Sequence, residues 1–143
     1  TLITQNVDGL HQAAASRHVI ELHGNIRRVK CFDHHHPVDG WSDDAVPPRC
    51  PQCGSLLRPD VVWFGEALPP AALDAATQAA RDCDVFLSVG TSTVVVPAAS
   101  LPFIARQSGA CLIEINPQPT PLSTYAQFSL RGNAGTVLPT LCP

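Results

Sequence analysis

The chain has 143 residues, of which 45% are hydrophobic and 15% are charged. This composition is typical of a globular domain with its own core and excludes a disordered chain. The net charge of −3 argues against general nucleic-acid binding, which needs a basic surface. No apolar run approaches the roughly 20 residues of a membrane span, so we expect neither a nucleic acid nor a membrane as a partner.

The predicted elements alternate along the chain between strands and helices. Residues 1–4 predict a strand that leads into a polar loop. Further strands or extended segments are predicted at 19–22, 61–65, 84–90, 111–116 and 128–131, and helices at 71–81, 97–107 and 136–141. This alternation predicts an α/β fold with a Rossmann-like, doubly wound parallel sheet. The apolar run 84–90 predicts a strand that is buried on both faces.

One segment, residues 31–54, interrupts this alternation with prolines, three adjacent histidines and a CxxC motif. We interpret it as a zinc-binding module inserted into a Rossmann-like domain that comprises residues 1–30 and 55–143. Cys31-x2-His34 is followed, after fifteen residues, by Cys50-x2-Cys53, which is the spacing of a structural zinc site. His35 and His36 remain alternatives to His34 as the fourth ligand, and an unligated turn remains an alternative to zinc.

The six cysteines do not form the pattern of a disulfide scaffold. Besides Cys31, Cys50 and Cys53 form the CxxC motif, Cys83 and Cys111 lie in apolar, element-like stretches, and Cys142 lies near the end. A metal site combined with buried thiols is typical of a reducing compartment. No signal peptide opens the chain, so we expect a cytoplasmic protein.

Two polar motifs near the start of the chain carry the main functional signal. The first reads Thr4-Gln5-Asn6-Val7-Asp8-Gly9-Leu10-His11, and the second reads Glu21-Leu22-His23-Gly24-Asn25. Together they closely resemble the sirtuins, the NAD-dependent protein-lysine deacylases. The resemblance implies that His23 is the general base, a role that suits imidazole because it exchanges protons near neutral pH. It further implies transfer of an acyl group from lysine to ADP-ribose, with release of nicotinamide.

The resemblance also implies a set of residues that contact NAD. In the first motif they line the nicotinamide and ribose pocket, and further along they follow predicted strands and contact the adenosine part. They are Gln5, Asn6, Val7, Asp8, Gly90, Thr91, Ser92, Asn116, Pro117, Gln118 and Ala134. Taken alone, each stretch is an ordinary turn.

A third motif, in which Arg58-Pro59 precedes the run Val61 to Glu66, resembles the sirtuin segment that pairs with the substrate backbone. It implies an acyl-lysine peptide or protein as the partner, recognised mainly through its main chain. The implied substrate-binding residues are Val62, Trp63, Phe64, Gly65 and Glu66. The alternative is a core strand with a partly buried Trp63.

The resemblance covers only the later part of a sirtuin catalytic core. The family's glycine-rich GAGxS loop, which holds the NAD pyrophosphate, has no counterpart in this sequence. The chain also begins at Thr1 inside a predicted strand and contains no methionine. We therefore expect a fragment of a deacetylase or desuccinylase with little or no activity alone. The alternative is a non-catalytic, zinc-bearing remnant that binds peptides.

Overall fold

The computed structural model describes residues 1–42, 44 and 46–141. The chain divides into two compact units, Thr1–Ala72 and Leu73–Pro143. Positions 43, 45, 142 and 143 lie outside the described residues. The first two belong to the predicted insert 31–54, and the last two belong to the predicted domain 55–143. The division into a Rossmann-like domain and an inserted module stays a prediction.

Two pairs of strands build the first unit. Strand β1 (Leu2–Thr4) pairs in parallel with β2 (Val19–Glu21), and the short helix α1 (Leu10–Ala13) lies between them in the chain. Strand β3 (Gly24–Cys31) pairs antiparallel with β4 (Leu57–Val61). The register shifts between Asn25 and Val29, so residues 26–28 form a bulge. Such a bulge locally bends and twists its strand.

The second unit holds a three-stranded parallel sheet, in which β6 (Cys111–Ile115) lies between β5 (Val85–Val89) and β7 (Phe128–Leu130). Helix α2 (Pro70–Asp82) spans the point at which the chain divides into the units and precedes β5. A turn of 3₁₀-helix at Ala98–Ser100 precedes helix α3 (Leu101–Gln107), which packs against β5 and β6. Helix α4 (Ala134–Leu141) follows β7.

These elements confirm the predicted α/β class, since strands alternate with helices and both β1-β2 and β5-β6-β7 are parallel. The helix predicted at 71–81 is confirmed, with prolines at its start where the missing amide hydrogen costs no helical bond. Helix α3 ends two residues before Gly109, whose φ of 99° is accessible to glycine at little cost. Among the described residues, no helix is both long and apolar enough to cross a bilayer.

Two of the predictions about strands are wrong. The strand expected at 61–65 instead ends at Val61, because the chain turns there and the Trp63 amide donates to the Glu66 side chain. Strand β5 is not buried on both faces, since Val85 and Leu87 are 47% and 43% exposed. An apolar run places apolar side chains on both faces of a strand, but the burial of each face depends on what packs against it.

Candidate active site and metal centre

His23 lies in the short connection between β2 and β3 and is half-buried. Its Nδ1 is 3.0 Å from the carbonyl oxygen of Gln5. A carbonyl oxygen can only accept a hydrogen bond, so the neutral ring carries its proton on Nδ1 and presents Nε2 with a free lone pair. The backbone at Gln5 therefore fixes the ring in the tautomer that a general base acting through Nε2 requires.

The glycine after His23 has a strict steric function. Gly24 has a φ of 78° and pairs with Val61 at the start of β3. A Cβ at this position would lie 2.0 Å from the carbonyl oxygen of Asp60. Next to it, the Val62 amide donates to the carbonyl oxygen of His23 at 3.0 Å. The two strands thus meet at the histidine, and only glycine permits the approach.

The loop of the first motif is attached to the bulge in β3. The Ile26 amide donates to the Val7 carbonyl oxygen at 2.8 Å, and Arg27 Nε donates to the Asp8 carbonyl oxygen at 3.0 Å. The Asp8 carboxylate accepts from the Leu10 amide at 3.0 Å, which is the turn contact expected of this residue type. Asn6 is exposed, and its backbone N–H donates to Thr4 Oγ1. The structure therefore brings the motif and His23 together in one unit.

The segment that follows β4 presents exposed aromatic rings. Trp63 is 47% exposed and Phe64 is fully exposed. The guanidinium of Arg58, itself 4% exposed, lies 3.5 Å from the centre of the Trp63 ring and donates to both oxygens of Glu66. These bonds, and then the Trp63 amide, hold the pKa of Glu66 at about 2, well below its usual value. Glu66 thereby fixes the shape of the loop that displays the rings.

Three thiols meet in the segment between β3 and β4. The Sγ atoms of Cys31, Cys50 and Cys53 all lie within 4.8 Å of one another, and those of Cys31 and Cys53 are 3.5 Å apart. Cys31 and Cys50 are buried with Val38, and Leu57 packs against them. His36 Nε2 lies 3.3 Å from the Cys50 Sγ, whereas the His34 ring is exposed and stacks on that of His36.

The surroundings of the three thiols favour ionisation of Cys31. Burial acts to raise the pKa of Cys31, but hydrogen bonds from the His34 and Asp33 backbone, Cys53 and Ser55 outweigh it and lower the pKa. A hydrogen bond from the Ser55 backbone acts to lower the pKa of Cys53, but burial and the two neighbouring thiols together outweigh it and raise the pKa. Clustered thiolates repel one another, and a bound divalent cation removes that cost. The donor set fits zinc, which binds thiolate and imidazole.

The second unit brings its predicted cofactor residues together at the carboxyl ends of β5 and β6. Asn116 Nδ2 donates to the Thr91 carbonyl oxygen at 3.2 Å, and the Gly90 amide donates to Ile115. Gly90 has a φ of 61°, and a Cβ there would meet nothing within 4 Å, so its backbone is open to a ligand. Ser92 follows directly, with its carbonyl oxygen accepting from Thr93. The carboxyl edge of a parallel sheet is where α/β folds bind ligands.

The loop after Asn116 is organised by a buried glutamate. Glu114, on β6, is 1% exposed. Its carboxylate accepts from Thr120, Ser123 and Arg131, and Arg131 also donates to the Gln118 carbonyl oxygen. Burial acts to raise the pKa of Glu114, but these hydrogen bonds outweigh it and lower the pKa. Pro117 lies in this loop, and Ala134, half-buried, begins α4.

Comparison with known proteins identifies the family of the chain. The family model described as "Sir2 family" matches residues 1–97, which is more than half of the chain. The chain belongs to the Sir2 family. A Sir2 relative from Pyrococcus furiosus, named NAD-dependent protein deacylase, is 54% identical over 98% of this chain and 59% of its own length.

Solved Sir2 structures extend the comparison to the fold. A Sir2 homologue in complex with NAD is 54% identical, with a TM-score of 0.90 over 98% of this chain and 56% of that one. A Sir2 protein bound to a myristoylated histone peptide is 44% identical, with a TM-score of 0.82 over 97% of this chain and 61% of that one. The chain thus spans somewhat over half the length of the Sir2 proteins that it matches, and the Rossmann-like α/β fold is confirmed.

Sequence reasoning missed three charged residues that hold this Sir2 site in shape. Arg27 holds the first motif, Arg58 holds the aromatic segment, and Glu114 holds the loop after β6. A charged residue within an apolar strand was a usable signal for Glu114, since buried charges are rare unless paired. No comparable signal marked Arg27, because the bulge that directs it towards Asp8 is a property of the paired strands.

Proposed function

We propose that this chain belongs to an NAD-dependent protein-lysine deacylase that transfers the acyl group to ADP-ribose and releases nicotinamide. The observation that carries the proposal is the hydrogen bond from His23 Nδ1 to the Gln5 carbonyl, which leaves Nε2 as a proton acceptor. It lies inside the segment that matches the family model. NAD supplies an electrophilic ribose carbon and nicotinamide as the leaving group.

The residues of this chain have distinct roles in that reaction. His23 accepts a proton at Nε2 from a ribose hydroxyl, which makes the hydroxyl oxygen nucleophilic. Gln5, Asn6, Val7 and Asp8 surround the nicotinamide and its ribose, with the loop anchored by the bulge in β3. In the second unit, residues 90–92 and 116–118 and Ala134 contact the adenosine part.

The segment Val62 to Glu66 binds the acyl-lysine peptide. Trp63 and Phe64 are exposed, and Val62 is bonded to the backbone of His23, so a peptide laid along the segment passes next to the base. Pairing through the main chain predicts a weak preference for peptide sequence. The Sir2 protein bound to a myristoylated histone peptide supports an acylated peptide as the substrate class.

We further propose a structural zinc ion held by Cys31, Cys50, Cys53 and one residue of the adjacent histidine run. Closed four-ligand zinc sites stabilise folds and leave no position for a substrate. Free thiols at the five described cysteine positions support a reducing compartment, and we propose the cytoplasm.

The test uses the 143-residue chain alone and the chain fused behind a segment that carries the GAGxS loop implied by the sirtuin resemblance. Products from acetyl- and succinyl-lysine peptides are measured by mass spectrometry with and without NAD. We expect free lysine and O-acyl-ADP-ribose only from the fusion with NAD, because the chain alone lacks the pyrophosphate loop. We expect none from the same fusion carrying His23→Ala.

Two results would contradict the proposal. Turnover that survives His23→Ala would remove His23 from the mechanism. A folded fusion that binds NAD and peptide without releasing lysine would favour a non-catalytic, peptide-binding protein.

A further inference from the structure

The two halves of the thiol cluster repeat the same backbone turn at an offset of nineteen residues. In the first turn the Cys31 amide donates to the His36 carbonyl oxygen at 3.0 Å, and the His35 amide donates to Cys31 at 3.0 Å. In the second turn the Cys50 amide donates to Ser55 at 2.7 Å, and the Gly54 amide donates to Cys50 at 2.8 Å. Bridges between antiparallel residues close both turns, Lys30 with Pro37 and Arg49 with Leu56.

Burial and backbone angles follow the same repeat. In both turns, 31–36 and 50–55, the first residue is buried, the next four are exposed and the sixth is half-buried. The fifth residue has a positive φ in each, 56° at His35 and 75° at Gly54. The two turns are therefore equivalent position by position, although their sequences share only the first cysteine.

This equivalence assigns the histidines to different positions. His34 takes the place of Cys53, the second thiol of its turn, whereas His36 takes the place of Ser55. The sixth residues make matching contacts across the cluster: His36 Nε2 lies 3.3 Å from the Cys50 thiol, and the Ser55 side chain hydrogen-bonds the Cys31 thiol. Each turn thus directs its sixth side chain at the first thiol of the other turn.

We propose that His34 is the fourth zinc ligand, and that His36 and Ser55 are a matched pair of hydrogen-bond donors to the Cys50 and Cys31 thiolates. The proposal rests on the zinc site of the proposed function. A ligated thiolate retains lone pairs that accept hydrogen bonds, and such donors orient the ligand and tune its affinity for the metal. His36 is then a positioning residue that donates from Nε2, not a ligand.

The backbone position of His34 is equivalent to that of Cys53, whose Sγ lies in the thiol cluster. The His34 ring is exposed and stacks at 6.2 Å on the His36 ring, which itself contacts Cys50. The proposal therefore requires the His34 side chain to rotate towards the cluster when zinc binds. Imidazole in place of one thiolate is compatible with a tetrahedral site of three sulfurs and one nitrogen.

The experiment compares the 143-residue chain with four variants: His34→Ala, His34→Cys, His36→Ser and His35→Gly. Zinc per chain is measured by atomic emission, zinc affinity by competition with a coloured chelator, and coordination by the absorption spectrum of the cobalt(II) form. His36→Ser and His35→Gly each make the first turn more like the second. His35→Gly is the matched control because it removes an adjacent imidazole at a position with no proposed contact to the metal.

We expect His34→Ala to weaken zinc binding by more than about 100-fold, because a ligand is lost. We expect His36→Ser to weaken it by about tenfold, the lower end of the range of about 10- to 100-fold for an outer hydrogen-bond partner, because serine can still donate a hydrogen bond. His34→Cys should keep one zinc per chain and add one thiolate contribution to the cobalt charge-transfer band. The His34→Cys variant therefore tests residue 34 as the ligand position even if His34→Ala does not fold. His35→Gly should match the unaltered chain.

The opposite pattern would overturn the assignment. If His36→Ser changes the cobalt spectrum from a nitrogen-containing site and His34→Ala does not, His36 is the ligand. If neither variant alters affinity or spectrum, the fourth ligand comes from elsewhere and the assignment is wrong. Absence of zinc from the unaltered, folded chain would instead remove the zinc site itself.

Discussion

Gly24 shows how a single residue sets the position of the base. It lies between His23 and a strand whose Asp60 carbonyl oxygen would be 2.0 Å from any Cβ. Because real Cβ atoms never come so close to oxygen, a side chain at this position must separate β3 from β4. The same strands carry the hydrogen bond between Val62 and the His23 carbonyl, so their separation displaces the histidine as well.

We therefore expect Gly24→Ala to lower the free energy of unfolding by about 3 kcal/mol, from overpacking together with an unfavourable positive φ. Urea denaturation of the zinc-loaded chain measures it. Gly40→Ala is the matched control, since Gly40 has a φ of 77° and open space around its Cβ position. It should cost only about 1 kcal/mol, and equal losses in the two variants would contradict the clash.

Glu66 is a single residue that makes the stability of the fold depend on pH. Arg58 holds its pKa at about 2, against an ordinary value of 4.5. A carboxyl whose pKa is lower in the folded state stabilises the fold above the unfolded pKa. That contribution is lost as the pH falls from 4.5 towards 2.

Replacing Glu66 with Gln should therefore flatten the pH dependence of stability in this window. The unaltered chain loses more of its unfolding free energy between pH 5 and about pH 3 than Glu66→Gln does. Urea denaturation at both pH values measures the difference, and any loss of metal affects both proteins alike. Asp74→Asn, at an exposed position on α2, controls for net charge; if it flattens the curve equally, the Arg58 contact is not the cause.

At the scale of elements, the bulge in β3 connects a strand to a functional loop. Residues 26–28 have no paired residues in the register of β4. The Ile26 amide and the Arg27 guanidinium instead reach the first motif. Arg28, in the same bulge, points to different partners and pairs with Glu21 and Asp60. Adjacent arginines thus have separable functions.

Arg27→Ala should loosen the loop without unfolding the strands. One lost hydrogen bond of about 1 kcal/mol corresponds to roughly fivefold faster amide hydrogen exchange at residues 6–10. Exchange within β1 and β2 should stay unchanged. Arg28→Ala is the control and should leave exchange in the loop as it was; a loop that responds equally to both variants would show that Arg27 has no specific role there.

The whole molecule consists of two units with different sources of stability. The second unit buries apolar side chains around its sheet, among them Leu101, Leu112, Ile115 and Leu122. By contrast, in the segment between β3 and β4 the described residues form a small core of Cys31, Val38 and Cys50, with Leu57 against it. So small a core gives little stability by itself, and a metal ion must supply the rest.

Chelation of zinc should therefore unfold one region selectively. Hydrogen exchange by mass spectrometry should show loss of protection around Cys31 and Leu57, with β5 and β6 protected as before. Addition of zinc after the chelator should restore the protection, which separates metal loss from irreversible damage. Equal loss of protection in the second unit would contradict separate sources of stability.

The sequence by itself predicted those features of the protein that depend on a short run of residues in a fixed order. The two motifs at residues 4–11 and 21–25 identified the family. Apolar runs placed β1, β5 and β6, and an alanine-rich stretch after two prolines placed α2. These features are local, because a short segment contains both the chemistry and the hydrogen bonds that shape it. The functional roles of the individual site residues stay predictions, which the proposed variants test.

Only the tertiary structure decided which groups meet across distant segments. The tautomer of His23 depends on a carbonyl eighteen residues away, and the bulge, the Arg58–Glu66 contact and the exposed face of β5 depend on strand pairing and packing. The two zinc turns share one cysteine in sequence yet the same hydrogen bonds in space. Backbone hydrogen bonds are made by every residue type, so the sequence determined the chemical groups, while folding determined their geometry.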